Sequence, residues 1–454
     1  MRSFDIISSV LSWMLWKFWI RYSANPTRTV VDTFQAPIFI VPFPAVTLCP
    51  LIQPLKARRD ELLRRLRLPH NMSNHTAAFL LKYGTAFTSE HVPAGKYYVN
   101  DLKALLKLNH INLVEFIQLL RPCEDMFEIC YWDNVKTNCS EIFKISYTFQ
   151  GVCCSFNYLL EDLIESGNRS KYDTGYRRSA LFGARSGLTV ILHKDLLVTN
   201  DSLGENIRFA TNSVGIVMFA HHPLEYVGSI SPRQILQAQQ ELRVSITPLV
   251  KKKLDNYYQV DKTTGRSVPH CINDTTFLKY FPSYRYPNCF VSCSIDATVK
   301  ICGCVPYYYV PMAKKYSLRL CEWEDFGCLY DNMKYIRIIK NFKTDNFTCD
   351  CQNPCWDIFY EIQTSSIVLN GRHNFNVSPF YKNITDDQAV LRVFLSSETY
   401  IEMSTIPMAD ELYLLASIGG IFSLFVGCSF ISAIEIFYFL FIFFRSYTNS
   451  KKSK

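Results

Sequence analysis

The apolar residues of this chain gather at two places and are interrupted by polar ones nearly everywhere else. From Leu412 to Phe444 it reads LYLLASIGGIFSLFVGCSFISAIEIFYFLFIFF, 33 residues whose one charge is Glu435. A continuous helix of that length would run roughly 50 Å at about 1.5 Å per residue, against roughly 30 Å of bilayer hydrocarbon. The run therefore predicts a membrane span, bounded by Asp410 and Glu411 before it and by Arg445, Lys451, Lys452 and Lys454 after it. A shorter stretch, Ile6 to Ile20, holds Trp13, Trp16 and Trp19 with one cation, Lys17. At about 22 Å as a helix it reads as a first span with Lys17 and the tryptophans near an interface, or as the core of a signal peptide. The span is the reading carried forward. Basic residues at the outer ends of both segments then place both termini in the cytoplasm.

Between the two segments the pattern changes. Residues 30–50 and 140–160 alternate apolar and polar positions and are rich in Val, Ile, Phe and Thr, as in IFKISYTF, so they predict strands. Residues 51–68 and 101–121 carry Leu at helical spacing with Arg and Lys between, which predicts surface helices. Residues 187–220 and 388–404 again read as strands. The expected organisation is a first transmembrane segment at 1–21, an extracellular domain at 22–411, a second, pore-lining span at 412–444 and a cytoplasmic tail at 445–454. No internal repeat or low-complexity tract interrupts it.

Composition narrows the class. Lys and Arg number 48 against 40 Asp and Glu, charged residues are 19% and aromatic ones 15%. That balance excludes a disordered or collagen-like chain and gives no support to nucleic-acid binding. Cysteine says more. Of 17 cysteines, 16 lie between Cys49 and Cys355, an even number suited to disulfides in an oxidising compartment. The remaining one, Cys428, sits inside the second apolar run. Ten fall within residues 271–355, marking a disulfide-tied segment. Zinc is the rival reading of Cys302-Gly-Cys304 and Cys349-Asp-Cys351, but neither a CxxC pair nor a His-x-x-x-His partner accompanies them. Asn-x-Ser/Thr sequons begin at Asn71, Asn74, Asn138, Asn168, Asn200, Asn273, Asn346, Asn376 and Asn383, all between the two apolar segments, with Pro379 weakening the one at Asn376. Their position favours an exported, glycosylated middle.

No enzyme signature is present: HExxH, GxSxG, the phosphate-binding loop and GxGxxG are all missing, and no cofactor is implied. His221 and His222 lack ligand spacing and read as surface or structural residues, and the basic run from Lys56 to Arg67 as the wet face of a helix. Chemistry concentrates in the second apolar run. Gly419-Gly420 and Gly427-Cys428-Ser429 serve either close helix packing or an opening of the helix, where freed carbonyls and a hydroxyl line an aqueous constriction. Glu435 is an intramembrane carboxylate, suited to concentrating cations at a pore or to a helix–helix hydrogen bond. Together these features favour a pore.

These residues resemble the degenerin/epithelial sodium channel family, and its insect pickpocket branch most closely. FPAVTLC, Phe43 to Cys49, resembles the strand after the family's first span. GVCCSFN, Gly151 to Asn157, resembles its GxCxxFN element, with a doubled cysteine typical of pickpocket relatives. The run Cys289-x3-Cys293…Cys302-x-Cys304…Cys321…Cys328…Cys349-x-Cys351-x3-Cys355 resembles the cysteine-rich thumb. LLASIGGIFSLFVGCSFISAIE resembles the second span, with Gly427-Cys428-Ser429 at the GxS selectivity filter. The resemblance implies a membrane α+β fold, two transmembrane helices flanking a hand-like extracellular β-rich domain of palm, finger and thumb. It implies a homo- or heterotrimer of related subunits in the plasma membrane, carrying an amiloride-blockable, sodium-selective pore with Na⁺ as the permeant ion. It further implies the pairs Cys271–Cys355, Cys289–Cys351, Cys293–Cys349, Cys302–Cys328 and Cys304–Cys321 in the thumb. Cys49–Cys153 and Cys130–Cys139 follow elsewhere, leaving Cys123 with Cys154 as the two that remain. Ala416 falls where bulky residues hold degenerin-like channels open.

Three departures stand out. The family's cytoplasmic His-Gly pair before the first span is missing, and Met1 lies almost at the membrane, which implies a truncated chain or altered gating. Ser423 replaces a glycine between Gly420 and the filter, and Ser417 stands where many relatives have Asp. Two other classes compete: a single-pass, disulfide-rich surface glycoprotein acting in adhesion or reception, and another two-span trimeric channel such as an ATP-gated one. The first predicts a featureless anchor and the second a cluster of phosphate-binding cations; neither is the pattern here.

Overall fold

The computed structural model describes residues 2–23, 27–50, 56–87, 96–120, 123–167, 175–197, 215–253, 258–260, 267–337, 349, 351–369, 379–381, 384–385, 387–408, 411–427 and 430–452. They form two compact units. One comprises Met1–Val30, Lys253–His270 and Ser404–Lys454; the other comprises Val31–Lys252 and Cys271–Met403. In chain order the strands are β1 (Thr27–Pro37), β2 (Ala45–Pro50), β3 (Phe127–Trp132), β4 (Val135–Thr137), β5 (Phe143–Thr148), β6 (Gly151–Phe156), β7 (Leu188–Leu192) and β8 (Ile216–His221). There follow β9 (Gln234–Leu236), β10 (Gln240–Lys253), β11 (Tyr258–Val260), β12 (Ser267–Pro269), β13 (Trp356–Val368), β14 (Ala389–Leu395) and β15 (Thr399–Pro407).

Two sheets build the larger unit. One has the order β1-β15-β10-β14-β7-β3-β4, with β13 also bonded to β10; the other has the order β5-β6-β2-β8-β9. Strand β10 shows how the sequence selects its place. Leu242, Val244, Ile246 and Val250 alternate inward and are buried, because side chains of a strand point to opposite faces in turn. Parallel pairing sets Leu242, Val244 and Ile246 beside Leu391, Val393 and Leu395 of β14. These residues pack against Val46 and Leu48 of β2, Phe156 of β6 and Met218 of β8, so one apolar core lies between the two sheets. Strands β2, β6 and β8 are buried at every position. Their alternate residues serve different layers: in β8, Ile216 and Met218 enter the inter-sheet core, while Val217 and Phe219 pack with Cys49 and Cys153.

A second core is helical. It joins Leu80 and Leu81 of helix Asn74–Phe87, Leu102 and Leu106 of helix Lys96–Leu108, and Phe116 and Leu120 of helix Leu113–Leu120 to Met312, Trp323 and Phe326 of the cysteine-rich segment. Gly84 lets two of these helices touch, since a Cβ there would come within 2.7 Å of the Phe116 ring. The region predicted as one helix over 101–121 is two. Asn109 accepts from Arg67 N at 2.7 Å and donates to Leu105 O at 2.8 Å, His110 takes φ +56°, and Asn112 Oδ1 accepts from Glu115 N at 2.8 Å as the next cap. Two Asx residues thus supply the stop and the start. The helix predicted within 51–68 is Lys56–Arg65. Three helices inside the cysteine-rich segment, Tyr286–Cys302, Val310–Tyr316 and Phe326–Arg337, have no counterpart in the sequence reading.

The doubled cysteine has a strand explanation. Cys153 and Cys154 are neighbours on β6 and face opposite ways, so they bond different partners, Cys49 and Cys123. The strand ends at Asn157, which adopts φ +54°. Its Nδ2 donates to Phe43 O at 2.5 Å, and its Oδ1 accepts from Arg177 N at 2.8 Å. Asn157→Ala removes these bonds and strands buried backbone groups. Its expected effect is a loss of roughly 2 to 4 kcal/mol, read as a lower thermal midpoint of the detergent-solubilised chain; an unchanged midpoint would mean the clamp holds nothing.

Glu161 is half-buried, and its Oε1 accepts from Tyr147 N at 2.7 Å. Burial raises its pKa from 4.5 to about 8, Asp162 adds to the rise, and the Tyr147 N–H and Lys144 oppose it. A raised carboxyl pKa means that the folded state binds the extra proton. Its stabilising contribution is whole below pH 4.5 and is lost as pH climbs to about 8. Glu161→Gln keeps the neutral shape, so the mutant's thermal midpoint should fall less than the wild type's between those limits; parallel curves would refute the assignment.

Candidate pore segment and disulfide frame

The smaller unit carries the candidate pore. Helix Arg2–Ser23 packs on helix Glu411–Val426, with the rings of Phe18 and Tyr413 at 5.8 Å. Trp13, Trp16 and Trp19 are exposed, and Lys17 Nζ lies 5.7 Å from the Trp13 ring centre. Strands β1 and β15 meet at Thr29 and Thr405, whose hydroxyls are 3.4 Å apart. Leu412, Leu415, Leu424 and Phe437 are each at least 70% exposed. Apolar surface on that scale calls for a cover other than water.

Among the described residues no helix is long and apolar enough to cross a membrane. The run read as a single span is divided into Glu411–Val426 and Phe430–Lys452, and the reason is local. Gly427 has φ +68° and donates its N–H to Ser423 O at 3.0 Å. This left-handed cap is open to glycine without penalty and ends a helix where other residues would be strained. Before it, Ala416, Gly420, Ser423 and Gly427 fall at intervals of four, three and four residues and share one helix face. Gly419 adjoins that face. A Cβ at Gly419, Gly420 or Gly427 would meet nothing within 4 Å. Glu435 is exposed in the second turn of the following helix. Cys428 and Ser429 lie outside the described residues.

The cysteine-rich segment is a second, rigid element. Cys289 and Cys293 stand one turn apart on helix Tyr286–Cys302, and Cys349 and Cys351 stand two residues apart on the chain opposite. The four sulfurs come close enough to hold a metal, but they are joined as Cys289–Cys351 and Cys293–Cys349. Cys302–Cys328 ties the end of that helix to helix Phe326–Arg337, and Cys304–Cys321 brackets the short helix Val310–Tyr316 between them. Cys271–Cys355 spans 84 residues beside the Ile272–Pro354 bridge; a loop of that length is worth about 4 to 5 kcal/mol in the chain-entropy account. Cys130–Cys139 completes the eight. Of the sequon asparagines, Asn71, Asn74, Asn138 and Asn273 are exposed, and Asn168, Asn200, Asn346 and Asn383 lie outside the described residues.

Sequence reasoning missed one constellation. His221 and His222 are both buried. His221 Nε2 lies 2.8 Å from the Thr47 hydroxyl, which in turn lies 2.6 Å from that of Ser155. Burial lowers the His221 pKa to about 4, which leaves the ring neutral. His222 Nε2 lies 2.8 Å from Arg285, whose other terminal nitrogen is 2.7 Å from Asp357. The available signal was Thr47, Ser155 and His221 placed inside otherwise apolar strands.

A family model described as "Amiloride-sensitive sodium channel" matches residues 4–439. "Sodium channel protein Nach" of Drosophila melanogaster is 27% identical over 444 residues, covering 94% of this chain and 79% of that protein. "Pickpocket protein 28" of the same organism is 25% identical, covering 93% and 70%. "Acid-sensing ion channel 1A" of Danio rerio is 23% identical, covering 94% and 78%. The match runs through both terminal helices, both sheets and the whole disulfide frame, and it is a match to ion channels and not to enzymes. The chain belongs to the amiloride-sensitive sodium channel family, the degenerin/epithelial sodium channel group with its pickpocket relatives.

Proposed function

We propose that the chain is a subunit of a trimeric, sodium-selective, amiloride-sensitive channel of the plasma membrane, gated through its extracellular domain. The observation that carries this reading is the left-handed break at Gly427 at the end of a helix face made of Ala416, Gly420 and Ser423. Residues 1–21 and 412–444 are the two spans, the second crossing as two half-helices that flank the break. Residues 22–411 lie outside the cell, with 271–355 as the thumb, and both termini lie in the cytoplasm. Three Gly427-Cys428-Ser429 segments meet on the axis. Their carbonyls take the place of part of the water around Na⁺, and larger cations are excluded by size. Glu435 raises the cation concentration on the cytoplasmic side. The exposed sequons Asn71, Asn74, Asn138 and Asn273 carry glycans.

A small side chain at Ala416 lets the helices close, and a large one there wedges them apart. Expressed in oocytes, Ala416→Phe is expected to give a sodium current severalfold above that of the unsubstituted chain, and amiloride blocks it. A variant that reaches the cell surface yet stays silent, alone and with related subunits, would contradict the reading.

A further inference from the structure

The larger unit holds a cavity of about 450 Å³ that ion conduction leaves unused. It forms where the disulfide-tied segment meets the sheets. Asp274 and Arg285 come from that segment, His222 from just beyond β8, Trp356 from β13, Glu402 from β15 and Arg178 from the chain after Tyr176. The size is that of clefts that enclose small organic ligands.

Its polar groups are not evenly matched. Glu402 is taken by Lys252, Asp357 is taken by Arg285 at 2.7 Å, and Asp274 also has a partner. What is left over is donor capacity on the Arg178 guanidinium, beside the buried charge of Arg285. Arg285 is 3% exposed and lies 5.6 Å from the Trp356 ring centre, with its terminal nitrogens on Asp357 and His222. Its Nε is buried and has no hydrogen-bond partner among the described residues. That atom is closed off from the cavity, so the contribution of Arg285 is its charge and not a free donor. Arg178 is exposed at the rim; its Nε donates to Ile40 O at 3.2 Å, and its terminal nitrogens make no hydrogen bond among the described residues. A planar fork with both ends open matches a carboxylate. Tyr176, Trp356 and Tyr400 supply aromatic walls that an inorganic anion would leave uncovered.

We propose that this cavity binds a small aromatic carboxylate. Its carboxylate is held by Arg178, with Arg285 supplying positive potential from the floor, and its ring lies against Trp356 and Tyr400. An occupant would touch the disulfide-tied segment and strands β13 and β15 together, and so bind them to one another. The proposal does not depend on the pore reading.

The test uses the full chain purified in detergent, radiolabelled naphthoate as the probe, and naphthamide as its uncharged counterpart. Naphthoate should bind saturably, and naphthamide about tenfold more weakly or worse. Arg178→Gln should weaken naphthoate by about tenfold with an unchanged thermal midpoint, because that side chain is exposed. Trp356→Leu should weaken both compounds. Equal binding of the acid and the amide, full affinity in Arg178→Gln, or the absence of saturable binding would overturn the proposal. Displacement of naphthoate by an equal concentration of inorganic phosphate would overturn the aromatic part of it.

Discussion

An apolar run of bilayer length cannot leave backbone groups unpaired in hydrocarbon, because no water is there to satisfy them. Gly427 ends a helix inside such a run by turning left-handed. The carbonyls released at that point need water or protein, so a membrane-embedded break is tolerable only around an aqueous path or within an assembly. The face that leads to the break is made of small residues, Ala416, Gly420 and Ser423, the kind of surface that permits close helix packing. Leu412, Leu415 and Leu424 are exposed beside it, an apolar surface that calls for a cover other than water.

The remainder of the chain is built to be stiff. The sheets share one core, and the helices share another with the cysteine-rich segment, so the units that a stimulus would move are large and cohesive. Five disulfides lock that segment to itself, from Cys271–Cys355 at its base to Cys304–Cys321 around helix Val310–Tyr316. The buried His222–Arg285–Asp357 contact fastens its base to the sheets, and the neighbouring cavity lies where a bound molecule would stiffen the same joint.

Much of this was legible in the sequence, and the failures have physical causes. Strand β5 announces itself in IFKISYTF because alternation is a local signal, whereas FPAVTLC and GVCCSFN, buried along β2 and β6, came with the family resemblance. The charge-free run and its GCS tripeptide are likewise local. The cysteine pairing came with the family resemblance, since spacing alone leaves it open. Helix Tyr286–Cys302 went unread because Cys289 and Cys293 drew attention as crosslinks although they also mark a helix face. The division of 101–121 was written in Asn109, His110 and Asn112, three residues that favour caps and left-handed turns, but the leucine periodicity outweighed them. His222 and Arg285 are polar in sequence and become buried only through segments far away in the chain, which no local pattern reports.

The central claim is that a break at Gly427 forms a sodium-selective constriction, and the reversal potential of a channel held open tests it most directly. In oocytes carrying the Ala416→Phe variant, replacing external Na⁺ with K⁺ should shift the reversal potential strongly negative, and Gly427→Val, strained at φ +68°, should abolish or de-select that current. A current that reverses at the same potential in both ions, or one that Gly427→Val leaves unchanged, would contradict the account.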